Sequence, residues 1–471
     1  MDIHIDLSDR KDLSAEIYRQ LKRAVTQGRL RAGERLPSTR GLSRRLDVSR
    51  TTVMVAYDRL ASEGLIRART GAGAFVSEYA ATPAAAVRNP GSGALRARAV
   101  WDTIPLPTTF DRPARFDFRT GLPSHSLFPH RAWRRLIRRA LEPHISEAAV
   151  YIEPGGYRPL REAIAWHVGA SRGVSTAAED VTITNGAQQA LDVIVRTVLS
   201  PGDRIAVEDP GYGLPPRLFK SLGLEVVFVP VDREGLVVDA LGPDIRAVYV
   251  TPSHQYPLGT TMSLARRRSL LAWAERCNAL IIEDDYDGEF RLGGAPVSAL
   301  KTLDPCGRVA YVGSFSKVML PTLRLGFAIT APVLTRSLQA AKYVCDWHTA
   351  LLTQHALAAF IDEGEFSRHI RRASKEYMRR HERVLSILRR DFEGVLEPVP
   401  SNAGMHLAAL GGPGWPDDLR PVIEQAEARG VAFHPLSMFS QKPLSGIAVG
   451  FGAVELDDIP EGLGLLRSCF P

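Results

Sequence analysis

Apolar positions along this chain follow two different rhythms, and the change between them divides it. In the first 80 residues the period is helical. Ile17, Leu21, Ala24 and Val25 form one stripe with Gly28 as a stop, and Val53, Ala56, Tyr57 and Leu60 repeat at helical spacing. Between them Ser38 is the expected N-cap of a short helix that turns Leu42 and Leu46 inward. Leu65-Ile-Arg-Ala-Arg and Ala74-Phe-Val flank Thr70-Gly-Ala-Gly as a hairpin with a flexible basic tip. Farther along, short β-rich runs begin at Val181, Arg204, Glu225, Ala247, Leu280, Val309 and Phe327, separated by helical stretches. Continuous apolar strands alternating with helices predict a mostly parallel sheet covered on both faces. A long helix over 365–392 and shorter strands near 405–409, 431–434 and 447–450 predict a smaller C-terminal α+β subdomain.

Residues 80–115 are rich in Ala, Pro and Gly and carry neither period, which predicts a linker between a module at 1–79 and a body at 116–471. Charge sharpens that division. The net charge is +7, and residues 1–80 hold 15 Lys+Arg against 10 Asp+Glu, residues 81–115 hold 5 against 2, and the rest is balanced at 39 against 40. The basic excess therefore lies in the first quarter, as for a polyanion-binding module on a nearly neutral body. The 45% hydrophobic and 24% charged composition excludes disordered, collagen-like and coiled-coil chains. No apolar run reaches the eighteen or so residues of a membrane span, the first residues are acidic rather than basic and then apolar, and the expected location is the cytoplasm. The four cysteines are too scattered to suggest a zinc site or a disulfide framework, and no metal is expected.

The third helical segment opens with Ser49-Arg-Thr-Thr, short hydroxyl side chains and an arginine beside unpaired backbone N–H groups, which suits phosphates and major-groove base edges. Gly33-Glu-Arg-Leu-Pro-Ser-Thr-Arg, Val48-Ser-Arg-Thr-Thr-Val, Ala56-Tyr-Asp-Arg-Leu, Glu63-Gly-Leu and Gly71-Ala-Gly-Ala-Phe-Val together resemble the winged helix-turn-helix of GntR-type bacterial transcription regulators. The resemblance implies that Arg40, Ser49, Arg50, Thr51 and Thr52 face double-stranded operator DNA, with the wing around Gly71 and Gly73 along the backbone or minor groove.

In the body, Ser314-Phe-Ser-Lys317 follows an apolar strand and Arg324 comes seven residues later. Glu283-Asp-Asp-Tyr-Asp ends another strand about thirty residues upstream, Asn185-Gly-Ala-Gln-Gln joins a strand to a helix, and Asp209-Pro-Gly-Tyr-Gly ends a third strand. This set resembles the fold-type I pyridoxal 5'-phosphate aminotransferases, an α/β fold with the smaller C-terminal subdomain. The resemblance implies an imine at Lys317, a carboxylate, Asp284, on the pyridine nitrogen, Tyr286 on the ring hydroxyl and Tyr212 on the ring face. Arg324, Ser314 and the Gly186-Ala187-Gln188 turn would hold the phosphate. Tyr256, within His254-Gln-Tyr-Pro-Leu-Gly, stands where such enzymes carry an asparagine beside the ring hydroxyl. Ala448, within Ile447-Ala-Val-Gly-Phe, stands where they carry the arginine that grips a substrate carboxylate.

The two modules in this order resemble the MocR/GabR-like subfamily of GntR-type regulators. That resemblance implies a domain-swapped homodimer regulating genes of vitamin B6, amino-acid or amine metabolism. The body would sense a B6 vitamer, amine or amino acid, with slow or absent transamination. The alternative is an active aminotransferase carrying a DNA-binding appendage.

Overall fold

The computed structural model describes residues 5–7, 12–69, 73–77, 96–106, 114–142, 151–291, 298–401 and 403–470. They form two compact units, divided after Ala97.

In the first unit, α1 (Leu13–Thr26) is capped by Asp12, whose carboxylate accepts from the Ala15 N–H at 3.2 Å. It buries Ile17, Tyr18, Leu21, Ala24 and Val25. Ser38 caps α2 (Thr39–Leu46) by accepting from the Gly41 N–H at 3.0 Å, and Ser49 caps α3 (Arg50–Ser62) by accepting from the Thr52 N–H at 3.0 Å. Each such cap is worth about 1 kcal/mol. Val53, Ala56, Tyr57 and Leu60 pin α3 into the core, and the Tyr57 hydroxyl donates to the Pro37 carbonyl at 2.9 Å, fixing α3 against the lead-in to α2. β1 (Ile66–Arg69) and β2 (Gly73–Val76) pair antiparallel, Ile66 opposite Val76 and Arg69 opposite Gly73. The hairpin tip, including Gly71, lies outside the described residues.

The second unit holds β3 (Phe116–Asp117), β4 (Val181–Thr184), β5 (Arg204–Asp209), β6 (Glu225–Asp232), β7 (Gly235–Leu236), β8 (Ile245–Val250), β9 (Leu280–Asp285), β10 (Val309–Ser314) and β11 (Gly326–Ile329). The eight strands from β4 to β11 form one sheet in the order β4-β11-β10-β9-β8-β5-β6-β7. The five central strands β10, β9, β8, β5 and β6 are parallel, whereas β11 runs antiparallel to both neighbours. Hydrophobic side chains bury both faces, one against helix Ala187–Val198 and the other against helix Leu264–Arg276. The carboxyl ends of parallel strands gather at one edge, where open α/β sheets bind ligands.

β12 (Leu396–Pro398), β13 (His406–Gly411), β14 (Val431–Ala432), β15 (His434–Pro435) and β16 (Gly446–Gly450) follow the long helix Glu365–Asp391. The sheet β12-β13-β16-β15 forms the core of the smaller subdomain. The single strand expected over 431–434 is two: β14 pairs with β3, and β15 pairs with β16. A run of four residues cannot reveal in its periodicity that its ends join different partners. Within the expected linker, Ala99–Thr103 forms a 3-10 helix, closed by the Thr103 hydroxyl donating to the Val100 carbonyl at 2.7 Å. So short a turn leaves no amphipathic period to read.

Candidate functional site

Three consecutive carboxylates end β9, and strand alternation sorts them. Glu283 and Asp285 face structural partners. Glu283 accepts the Leu300 and Lys301 N–H groups at 2.6 and 2.8 Å, and Asp285 takes the Arg172 guanidinium and the Tyr311 hydroxyl, each at 2.6 Å. Asp284 faces the other way, buried, with one oxygen accepting the Tyr249 hydroxyl at 2.7 Å and the other, Oδ1, without a hydrogen-bond partner. Burial pushes its carboxyl up to about 7, against the pull of the Tyr249 hydrogen bond. A buried carboxylate oxygen aimed at nothing calls for a cationic N–H donor.

Lys317 sits on the short helix Phe315–Val318 directly after β10, and its Nζ donates to the Gly121 carbonyl at 2.8 Å. Gly121 lies in the left-handed region, φ 81°, and a Cβ there would come within 2.7 Å of Nζ, so the lysine needs a glycine opposite it. Burial lowers the Lys317 ammonium below the usual lysine range, while Asp287 and Asp284 pull it back up. An amine more readily deprotonated than usual is a better nucleophile toward an aldehyde. The Ser314 hydroxyl accepts from the Ser316 N–H at 3.2 Å and so caps this helix.

Arg324 closes the turn before β11 and donates to the Asn185 carbonyl at 3.0 Å. Gly186 precedes helix Ala187–Val198 with φ 78°, and a Cβ there would meet the Arg324 guanidinium at 3.1 Å. Gly186, Ala187 and Gln188 therefore present the N–H groups of a twelve-residue helix beside a guanidinium, an anion cradle. The cradle is held from behind. Asp346 accepts from the Asn185 and Gln189 side-chain amides, both at 2.7 Å, and pairs with the buried Lys342. Neither Asp346 nor Lys342 could be found by local pattern, since they come from more than 150 residues away.

Tyr212, 38% exposed, packs edge-on against Tyr256 at 5.7 Å between ring centroids, and burial with the Asp284 charge raises its hydroxyl to about 12. Tyr256 in turn meets Tyr286 edge-on at 5.9 Å. The Tyr256 hydroxyl lies 2.6 Å from the Thr120 hydroxyl, which lies 3.0 Å from His434 Nδ1. The Tyr286 hydroxyl lies 2.9 Å from His254 Nδ1. Thr120, Gly121 and His434 were not singled out in the sequence, where nothing local marks them, and His254 figured there only as the first residue of the segment that carries Tyr256. Ala448 is buried against Ala408 and Leu436, with Leu258 and Phe439 beside them, so an apolar patch fills that position on β16.

On the first unit, Arg40, Ser49, Arg50 and Thr51 are exposed, and Thr52 is half-buried. The Ser49 and Thr52 hydroxyls lie 2.8 Å apart, so part of their hydrogen-bonding capacity serves the α3 cap. Gly73 has φ 103°, and a Cβ there would approach Arg35 Nε at 3.3 Å. Arg44, Arg67 and Arg69, also exposed, extend the basic surface beyond the residues singled out in the sequence.

Residues 13–76 match the family model described as bacterial regulatory proteins, gntR family, and residues 120–430 match aminotransferase class I and II. The probable rhizopine catabolism regulatory protein MocR of Rhizobium meliloti is 36% identical over 97% of this chain and 93% of its own length. This chain belongs to the MocR-type GntR regulators. The pyridoxine biosynthesis transcriptional regulator PdxR of Corynebacterium glutamicum is 33% identical over 97% of this chain and 96% of its own length. Among solved structures, the MocR-type body is similar to the kynurenine aminotransferase of Pyrococcus horikoshii in complex with PMP. That match has a TM-score of 0.69 and 30% identity and covers 80% of this chain and 94% of the other. The chain is thus a DNA-binding transcription regulator whose body is a fold-type I aminotransferase-like module, the fold that takes pyridoxal 5'-phosphate.

Proposed function

We propose that pyridoxal 5'-phosphate is held at Lys317 of this MocR-type regulator, and that its occupancy or reaction with an amine sets the affinity of the winged helices for operator DNA. The observation that carries this reading is the unpartnered, buried Asp284 Oδ1 on the same site as the Lys317 amine. Asp284 would keep the pyridine nitrogen protonated, Tyr286 and Tyr256 would face the ring hydroxyl, and Tyr212 would cover the ring face. The phosphate would lie on Gly186, Ala187, Gln188 and Arg324, with Ser314 beside it. When bound, the cofactor supplies an electrophilic aldehyde and an electron-withdrawing ring. The chain's own part is to present an unprotonated lysine, hold the ring's counter-charge and exclude water.

The DNA-facing residues would be Arg40, Ser49, Arg50, Thr51 and Thr52, with Gly71 and Gly73 on the wing, in a module spanning about 1–79 joined by a linker to about residue 115. A homodimer with crossed-over winged helices fits the long connection. An exposed aromatic patch also favours a second copy: Tyr151, 72% exposed, stacks on Trp347 beside Val344, 83% exposed. Target genes of vitamin B6, amino-acid or amine metabolism fit the cofactor and accord with a relative named for pyridoxine biosynthesis.

One observation favours the other reading, an active transaminase: the aromatic-amino-acid aminotransferase 1 of Thermococcus litoralis is 32% identical over 73% of this chain. Against it stands the apolar surrounding of Ala448, which leaves no cation at that position to grip an α-carboxylate. Borohydride reduction of the loaded protein tests the site, since it should fix the cofactor to Lys317 and leave Lys317→Ala unlabelled; label on another lysine refutes the assignment. Multiple-turnover production of a keto acid from a common amino acid at about 1 per second or faster, typical of enzymes, refutes the sensor reading.

A further inference from the structure

His254 and Asp287 are buried, and neither has a role in the reading above. Their geometry poses a competition. His254 Nδ1 lies 2.9 Å from one Asp287 carboxylate oxygen and 3.2 Å from the other, and it also lies 2.9 Å from the Tyr286 hydroxyl. An imidazole nitrogen carries either one hydrogen or one lone pair. If Nδ1 holds a hydrogen, Asp287 accepts it and the Tyr286 hydrogen is free to point elsewhere. If Nδ1 is bare, Tyr286 donates to it and cannot donate to anything else. His254 is the one hydrogen-bond partner of the Asp287 side chain among the described residues. Burial raises the Asp287 carboxyl, with the Asp285 and Glu289 charges adding to it, while His254 holds it down. Once ionised, a buried carboxylate left without a donor is costly, so the first arrangement prevails wherever Asp287 is charged. The other groups facing the ring fit it: Ser401 Oγ is 3.2 Å from Nε2, and His406, with its ring 4.7 Å away, is held well below the usual histidine range by burial and by His254. His381, on the long helix, is likewise lowered by burial, with a smaller contribution from His254.

We infer that Asp287 and His254 are positioning residues that reserve the Tyr286 hydroxyl hydrogen for the ring oxygen of the bound cofactor. This rests on the cofactor reading above. A hydrogen bond donated to that oxygen stabilises its negative charge, so the nitrogen joining Lys317 to the cofactor gives up its proton at lower pH. Loss of the donor raises the pH midpoint of the visible absorbance band. The charge of Asp287 acts in the opposite direction, since it is the largest charge holding a proton at Lys317. A double-mutant cycle separates the two effects.

The experiment is a pH titration of that band in full-length, cofactor-loaded protein for wild type, Tyr286→Phe, Asp287→Ala and the double variant. Tyr286→Phe should raise the midpoint by roughly one pH unit, a tenfold change in proton affinity. Asp287→Ala should raise the midpoint relative to its effect in the Tyr286→Phe background by about the same amount, because only with Tyr286 present is there a hydroxyl to divert. Equal effects of Asp287→Ala in both backgrounds overturn the inference. An unmoved midpoint in Tyr286→Phe overturns instead the placement of Tyr286 on the cofactor. If Asp287→Ala does not fold, nitrogen-15 shifts of the wild-type His254 ring decide: hydrogen on Nδ1 supports the inference, and a bare Nδ1 overturns it.

Discussion

Replacing Asp284 by asparagine should make the cofactor-free protein more stable and the cofactor-loaded protein less so. Asp284 holds its proton to about 7 where an ordinary aspartate gives it up at 3.8, so the folded chain binds that proton more tightly than the unfolded chain does. With this sign, stability falls as pH rises from about 4 through 7, and above 7 the ionised side chain costs about 4 kcal/mol. Asparagine removes that cost and its amide oxygen can still accept the Tyr249 hydroxyl. Its NH2 group, placed where Oδ1 has no partner, gives back about 1 to 3 kcal/mol, leaving a net gain of about 1 to 3 kcal/mol at pH 8. With the cofactor bound the order reverses, because the protonated ring nitrogen loses an anionic acceptor worth about 1.5 to 3 kcal/mol, a ten- to hundredfold loss of affinity. Denaturant melts of cofactor-free protein at pH 5 and pH 8 and cofactor titrations followed by absorbance measure both. A cofactor-free variant with the wild-type difference between the two pH values refutes the charge argument, and unchanged cofactor affinity refutes the placement of Asp284 on the ring nitrogen.

Gly186→Ala should weaken retention of the phosphate, since a Cβ would meet the Arg324 guanidinium at 3.1 Å and the backbone at φ 78°, ψ 175°, a region essentially reserved for glycine, strains another residue by about 1 to 3 kcal/mol; cofactor dissociation measured by gel filtration or dialysis checks it. Operator binding should fall steeply with salt, because the basic excess lies in the first 115 residues, and fluorescence anisotropy at several ionic strengths reads the slope. Arg50→Ala should cost about 1 to 3 kcal/mol with loss of base selectivity, whereas Arg40→Ala should weaken binding more evenly across sequences; an unaffected Arg50→Ala variant refutes the recognition-helix assignment.

What the sequence disclosed followed from how locally each feature is encoded. The strands of the large sheet were legible because β4, β9 and β10 are buried along their whole length and β8 at every position but Arg246, so their apolar residues fall in short runs rather than at helical spacing. The cap at Ser38 was legible because a cap is a contact three residues long, whereas Ser49 was read only as a DNA-facing residue and its capping of α3 comes from the structure. The division of labour among Glu283, Asp284 and Asp285 was legible only through family likeness, since alternation shows that the faces differ but not which face is the site. Thr120 and Gly121, 196 residues before Lys317 in the case of Gly121, were invisible, because loop closure over such distances leaves no mark on either segment. The same holds for the Asp346 buttress behind Asn185, while Asp287 and His254 both lay in segments read at the site and only their contact went unread.

The surroundings of the site also constrain what a sensor of this shape can distinguish. On β16 Ala448 faces Ala408 and Leu436, and across the register from it stands His434, held down to about 4 chiefly by burial and hence uncharged near neutral pH. His434, Thr120 and Tyr256 form a chain of neutral hydrogen-bonding groups. Neutral hydrogen bonds contribute about 0.5 to 1.5 kcal/mol each, against about 1.5 to 3 for one to a charged group, so an amine bearing a carboxylate gains little here over one that bears hydroxyls. A ligand changes DNA binding only by preferring one arrangement of the modules over another, and moving a population from 1:99 to 99:1 takes about 5.5 kcal/mol of such preference. With an apolar patch at Ala448 in place of a carboxylate clamp, the proposed function draws that preference from reaction at Lys317 and from shape and neutral hydrogen bonds around it. On the proposed reading, selectivity rests on what a ligand's amine and hydroxyl groups can reach, and amines with and without an α-carboxylate, titrated against the absorbance band, should show no preference for the α-amino acids; a preference of about tenfold for them refutes it.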